Sequence, residues 1–143
     1  MTEQPTLTPD SDYEFEMQLR WSDQDALGHV NNARIVTLME EARMRFLREL
    51  SGGAHFDSGL VVASMKLDYL RQVDYRPTMM LRVGVERLGT KSFTLRHVGY
   101  IEGERAFDSS IVLVPLDEDG KSSRAMTPTE RGWLEGSMLS VRA

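Results

Sequence analysis

The chain has 143 residues, room for one core at roughly 100–200 residues per domain, and its 17 Lys plus Arg against 22 Asp plus Glu give a formal net charge of −5, which disfavours wrapping a polyanion such as nucleic acid. Without cysteine there is no disulfide, no thiol nucleophile and no Cys-containing zinc site, and three dispersed histidines offer little for another metal centre. With 41% hydrophobic and 27% charged residues the composition is that of a soluble globular domain, and no stretch approaches the ~20 apolar residues of a membrane span.

Residues 1–12 are polar and acidic where a secretion signal would be basic and then apolar. A flexible lead-in, a cytoplasmic address and a single domain over residues 13–143 are expected. Residues 13–21, Tyr-Glu-Phe-Glu-Met-Gln-Leu-Arg-Trp, alternate apolar and polar, the period of a half-buried strand. Residues 22–32 hold two Asp, a Gly, a His and two Asn, which suits turns and caps and predicts a loop.

From residue 33 to 50 the apolar side chains Ile35, Leu38, Met39, Ala42, Phe46 and Leu50 recur at spacings of three and four, one face of a long helix. Asn31 or Asn32 can cap its start, and Gly52-Gly53 can end it. Arg34, Glu41, Arg45, Arg48 and Glu49 fall on the other face, with Glu41 and Arg45 at ion-pairing distance along a helix. Four more strands are expected at 60–70, 79–88, 92–101 and 105–115, largely as a meander, since Gly89-Thr90 and Glu102-Gly103 are short turn signals. Thr127-Pro128-Thr129-Glu130 combines a Thr cap, Pro at the first helical position and a reciprocal Glu, the start of a short terminal helix. The expected class is α+β, a five-stranded curled antiparallel sheet wrapped around one long helix. Its uncovered edges favour dimerisation.

The densest polar cluster, residues 22–32, lies between the first strand and the long helix. Unpaired amides at a helix N-terminus can hold a carbonyl oxygen and the oxyanion it becomes. The carboxylate of Asp25 can activate water as a general base or attack the carbonyl itself, and Gly28 permits a tight turn or close backbone approach to a ligand. The same composition also suits any strand-to-helix loop.

The run Trp21-Ser-Asp-Gln-Asp-Ala-Leu-Gly-His-Val-Asn-Asn32, followed by Met39-Glu-Glu-Ala-Arg43, resembles the signature of hot-dog-fold acyl-CoA thioesterases of the 4-hydroxybenzoyl-CoA thioesterase-like superfamily, nearest the long-chain acyl-CoA branch. Residues 66–71, Lys-Leu-Asp-Tyr-Leu-Arg, and 87–93, Arg-Leu-Gly-Thr-Lys-Ser-Phe, extend the likeness to roughly 15–116. The resemblance implies that Asp25 is the catalytic carboxylate and that amides around Asn31, Asn32 and Ala33 are the oxyanion donors. It also implies that two protomers join sheets edge to edge with sites at their interface, and that tetramers of such chains occur. One departure is Ile35, where many relatives carry an aromatic residue, so acyl-chain preference stays open.

Each residue has a plainer alternative. Asp23 is a turn or cap residue, or a support for Asp25. His29 orients Asp25 or substrate, or is a structural hydrogen-bonder, and Asn31 and Asn32 are caps whose side chains could also serve the oxyanion. Glu40 and Glu41 are an alternative base or a solvated helix face. Coenzyme A would need a local basic patch, for which Arg87, Lys91 and Arg124 are the candidates, although a surface of mixed charge carries such residues anyway. His55 and His97 receive no role.

The expected function is therefore hydrolysis of an acyl-CoA, fatty acyl by resemblance, to free acid and coenzyme A. It needs no metal or redox cofactor, because a thioester is already an activated acyl group. The alternatives are a hot-dog hydratase or dehydratase acting on acyl thioesters and a non-catalytic acyl-thioester binding module; an acyl carrier protein could replace coenzyme A.

Overall fold

In a computed structural model, residues 12–139 are described. The lead-in expected at the N-terminus lies, but for Asp12, outside them. Strands β1 (Asp12–Gln18), β2 (Leu60–Tyr69), β3 (Thr78–Leu88), β4 (Phe93–Ile101) and β5 (Glu104–Pro115) alternate with helices α1 (Asn32–Leu50) and α2 (Pro128–Glu135) in the order β1-α1-β2-β3-β4-β5-α2. All neighbouring strands pair antiparallel, and the sheet order is β1-β3-β4-β5-β2. The expected meander runs through β3, β4 and β5, while β2 crosses to the far side and pairs with β5.

β1 ends three residues before the expected limit. Asp23 accepts the Arg20 N–H at 2.8 Å and closes a 3-10 turn over Trp21–Asp23, so local capping interrupts the alternating pattern. At the β4–β5 hairpin, Glu102 (φ 52°) and Gly103 (φ 78°) both adopt positive φ, the two-residue turn whose twist matches antiparallel strands.

The apolar face of α1 is the middle of the core. Ile35, Met39, Ala42 and Phe46 are at most 1% exposed and share one cluster with Leu81, Val83, Val85, Leu95, Phe107 and Ile111 of the sheet. Each of these side chains larger than Ala42 contributes about 1.5–3 kcal/mol by leaving water. Gly99 on β4 is required by packing, because a Cβ there would sit 2.2 Å from the ring of its cross-strand partner Phe107. The outer face of α1 is solvated as expected, with Arg45 and Glu41 paired at 2.9 Å.

Two polar features sit in or behind this core. On the other side of β4 and β5, Arg96 and Asp108 form a buried two-point pair, Nε to Oδ1 at 2.9 Å and Nη2 to Oδ2 at 2.5 Å. On the helix side His97, fully buried, stands opposite Ser109, and neither its ring nitrogens nor the Ser109 hydroxyl makes a well-formed hydrogen bond. Burial pushes the His97 imidazole down to about 3, helped by the neighbouring charge of Arg43 on α1 and opposed by the Met39 backbone. A neutral imidazole results.

The terminal helix forms as its motif predicts. Thr127 Oγ1 accepts the Glu130 N–H at 3.1 Å, and Glu130 Oε1 accepts the Thr127 N–H at 2.9 Å. Among the described residues no helix is long and apolar enough to cross a membrane.

Candidate active site

The polar loop between β1 and α1 is a compact, internally bonded turn. Asp25 N–H donates to the His29 carbonyl at 2.7 Å, Gly28 N–H donates to the Asp25 carbonyl at 3.2 Å, and Gly28 takes φ +82°. A side chain at Gly28 would have room, its Cβ 3.9 Å from Gln24 Oε1, so the glycine is there for its backbone conformation. The loop is stitched to the segment after β2 by Val30 N–H to the Val73 carbonyl at 2.7 Å and Tyr75 N–H to the Gly28 carbonyl at 3.2 Å.

Within this turn Asp25 is exposed and held by one oxygen. Its Oδ1 accepts the N–H of Leu27 at 2.8 Å and of His29 at 3.2 Å, and among the described residues Oδ2 has no partner. The carboxylate borders a cleft of about 440 Å³, whose one wall is Asp25, His29, Asn32 and Ile35 and whose other is Tyr69, Leu70 and Arg71. A carboxylate held through one oxygen, with the other free and a cleft beside it, meets a first requirement of a general base or nucleophile.

The amides at the start of α1 are not equivalent. Asn31 N–H donates to the Asp23 carbonyl at 2.9 Å, and Ala33 N–H donates to Asn31 Oδ1, the helix cap, at 2.8 Å. Asn32 N–H, between them, has no acceptor among the described residues. Of the three positions nominated from sequence, Asn32 alone keeps its amide free, and Asn31 is a cap.

Other nominated residues fall in different places. Asp23 is buried and committed to Arg20, with Arg34 Nε 3.8 Å away, so it secures the turn. His29 supplies its backbone N–H to Asp25 while its Nε2 lies 3.5 Å from Asp74 Oδ1. Ile35, 1% exposed, forms the floor of the cleft. Arg87 and Lys91 are exposed around the β3–β4 turn, and neither they nor Arg124 line the cleft. Arg124 is clasped by Glu130 at 2.7 and 2.8 Å and donates to the carbonyls of Leu116 and Asp57, which spends its guanidinium inside the fold.

Two cleft residues were given no role from sequence. Tyr69 Oη donates to the Asn32 carbonyl at 2.8 Å, and burial raises its hydroxyl above the usual tyrosine value. Arg71 pairs with Glu104 at the start of β5. The only signal was their place in the second stretch of likeness, residues 66–71.

The family model of the thioesterase-like superfamily matches residues 19–131, from the end of β1 into α2. The chain belongs to this superfamily. It is 30% identical over 121 residues to the uncharacterised protein YsmA of Bacillus subtilis, covering 83% of this chain and 82% of that protein. A thioesterase from Thermus thermophilus, solved with coenzyme A and Zn, is 30% identical with a TM-score of 0.78, covering 87% and 92% of the two chains. The probable thioesterase YbaW of Escherichia coli is 25% identical with a TM-score of 0.76, covering 89% and 98%. Superfamily membership places the chain among thioester hydrolases and identifies its curled sheet and central helix as the hot-dog fold.

Proposed function

We propose that this thioester hydrolase acts on acyl-CoA, with a fatty acyl group, and that Asp25 and Asn32 carry the chemistry. The supporting observation is that Asp25, whose Oδ2 is free, and Asn32, whose N–H is free, line one cleft together with the apolar side chains of Val30, Ile35 and Leu70. In this reading the thioester carbonyl is polarised by the Asn32 amide at the positive end of α1. Asp25 Oδ2 takes a proton from water as its oxygen adds to the carbonyl carbon. The tetrahedral oxyanion then collapses, the C–S bond breaks, and the thiolate leaves and is protonated, giving free acid and coenzyme A.

That the Thermus thermophilus relative was solved with coenzyme A supports that carrier over other thiols. Arg87 and Lys91 remain available for its phosphates, since the structure gives neither an internal ion pair among the described residues. A homodimer is part of the proposal: β2 pairs on one side only, and its open edge exposes Val61, Val62, Met65 and Tyr69. A cytoplasmic enzyme fits the cysteine-free composition.

The test is Asp25→Asn, which keeps an oxygen for the Leu27 and His29 amides and replaces the free basic oxygen by an uncharged NH2. Thiol release from medium- and long-chain acyl-CoA should fall by about 10²–10⁴ in kcat, with the thermal midpoint little changed. Undiminished release by the Asn variant overturns the assignment. Enoyl-CoA hydration without thiol release would instead favour the hydratase alternative.

A further inference from the structure

A second cavity, of about 290 Å³, opens at the C-terminal end of α1. Gly52 (φ 65°) and Gly53 (φ 97°) end the helix, and Gly53 N–H donates back to the Arg48 carbonyl at 2.9 Å, so the chain doubles back beside the last turns. Met44 and Leu47 of the helix, with Phe56 and Leu60 beyond it, make the cavity apolar. Phe56 is a fixed wall, its ring 5.5 Å from those of both Phe93 on β4 and Trp133 on α2. The Asp25 cleft shares none of these residues and is built on the first turn of α1, roughly 18 Å away along the helix.

The edge of the cavity is cationic. Arg48 and His55 stand there exposed, and among the described residues neither side chain has a hydrogen bond or ion pair. Elsewhere on α1 the guanidinium of Arg45 is spent on Glu41 at 2.9 Å. Arg48 follows Met44 by one turn, and helical side chains lean toward the N-terminus, which carries its head over the cavity. No carboxylate of the described residues lines the space.

An apolar cavity edged by unpaired cations suits a ligand with one anionic end. We infer that it binds an unbranched aliphatic monocarboxylate, the chain among Met44, Leu47, Phe56 and Leu60 and the carboxylate at Arg48 and His55. The guanidinium can hold the head by two parallel charge-assisted bonds, and the flexible thioether of Met44 adapts to the chain. The volume lies at the small end of the ~300–1,000 Å³ of ligand clefts, which sets a medium chain length. The tail of an intact thioester offers these cations no charge, so the site distinguishes a free acid from an acyl group. Every contact comes from one chain. Binding goes beyond the hydrolase reading and stands without it; that the ligand is also of the class the enzyme releases rests on that reading.

The test is calorimetric titration of the intact protein with octanoate, hexanoate and 1-octanol. Octanoate should saturate, at least about tenfold tighter than hexanoate, since each buried methylene is worth close to a factor of four. Octanol, with the same chain and no charge, should bind about tenfold more weakly than octanoate. Arg48→Gln should lower octanoate affinity about tenfold and leave octanol unchanged. Met44→Trp fills the cavity from a position that is 53% exposed, without overpacking the core, and should abolish binding of both. Leu70→Trp, which narrows the Asp25 cleft from a half-exposed position, should leave both unchanged.

Absence of saturable octanoate binding overturns the inference, as does an octanol affinity equal to that of octanoate. Loss of binding in Leu70→Trp with retention in Met44→Trp also overturns it, because the acid then sits in the cleft. Failure of the unaltered protein to release thiol from any acyl-CoA overturns the hydrolase reading alone.

Discussion

The Tyr69 hydroxyl donates to the Asn32 carbonyl at 2.8 Å, tying the last residue of β2 to the first of α1. The bond spans the cleft's two walls and fixes the peptide next to the free Asn32 amide. Tyr69→Phe should cost about 0.5–1 kcal/mol of stability and lower kcat more than it raises KM, because it loosens the donor without removing it. Denaturant unfolding and steady-state thiol release check the two effects. With the hydroxyl raised by burial above its ordinary 10.0, the stability difference between parent and variant holds up to that pH and declines beyond it.

His97 makes the fold sensitive to acid. Its folded value, about 3, lies below the unfolded 6.5, so the unfolded chain binds the proton first. The contribution is intact above pH 6.5 and is lost progressively as pH falls from there towards 3, amounting to about 2 kcal/mol at pH 5. His97→Leu, which replaces an unpaired imidazole by an apolar side chain, should flatten the pH dependence of the thermal midpoint across that window. A slope equal to the parent's would show that another group carries it.

Arg124 separates a structural cation from a ligand-binding one. Removing it by Arg124→Met leaves the buried Glu130 carboxylate, which Arg124 holds below its usual range, without its counter-charge. The expected loss is about 3 kcal/mol, read as a lower unfolding midpoint, with KM for acyl-CoA unchanged at temperatures where the variant remains folded. Adding Glu130→Gln to Arg124→Met should recover part of the loss.

The β2 edge should respond to charge. Met65→Lys places a cation near the centre of an edge where two antiparallel copies would bring like charges together. Sedimentation should separate a monomeric variant from the dimer proposed for the parent; equal mass for the two would show that β2 is not the interface.

The parts of this fold that were legible in the sequence are those set by local periodicity and capping. The three-and-four spacing from Ile35 to Phe46 and the Thr127–Glu130 box predicted α1 and the start of α2 at their observed places. β1 was overextended because Leu19 and Trp21 continue the alternation by residue type while Asp23 turns the backbone away. At the site, Asp25 and Gly28 stood out through turn chemistry, but the opposing wall comes through Tyr69, 37 residues downstream of its partner Asn32, a distance no local pattern spans. The different fates of the Asn31, Asn32 and Ala33 amides depend on where the Asp23 carbonyl points, and that orientation is settled only by the folded turn. Arg124 invited a phosphate-binding role from its loop position; its use by Glu130 required knowing that the box glutamate has both oxygens turned inward.

The edge-to-face contact of Trp133 with Phe56 puts the C-terminal helix behind the cavity at the far end of α1, while the proposed reacting groups belong to a loop more than 100 positions earlier. The Asp25 loop and the packing behind Phe56 are thus encoded in separate stretches of the chain. Substitutions along α2 can reshape that packing while leaving the loop untouched, so the two regions are free to vary independently.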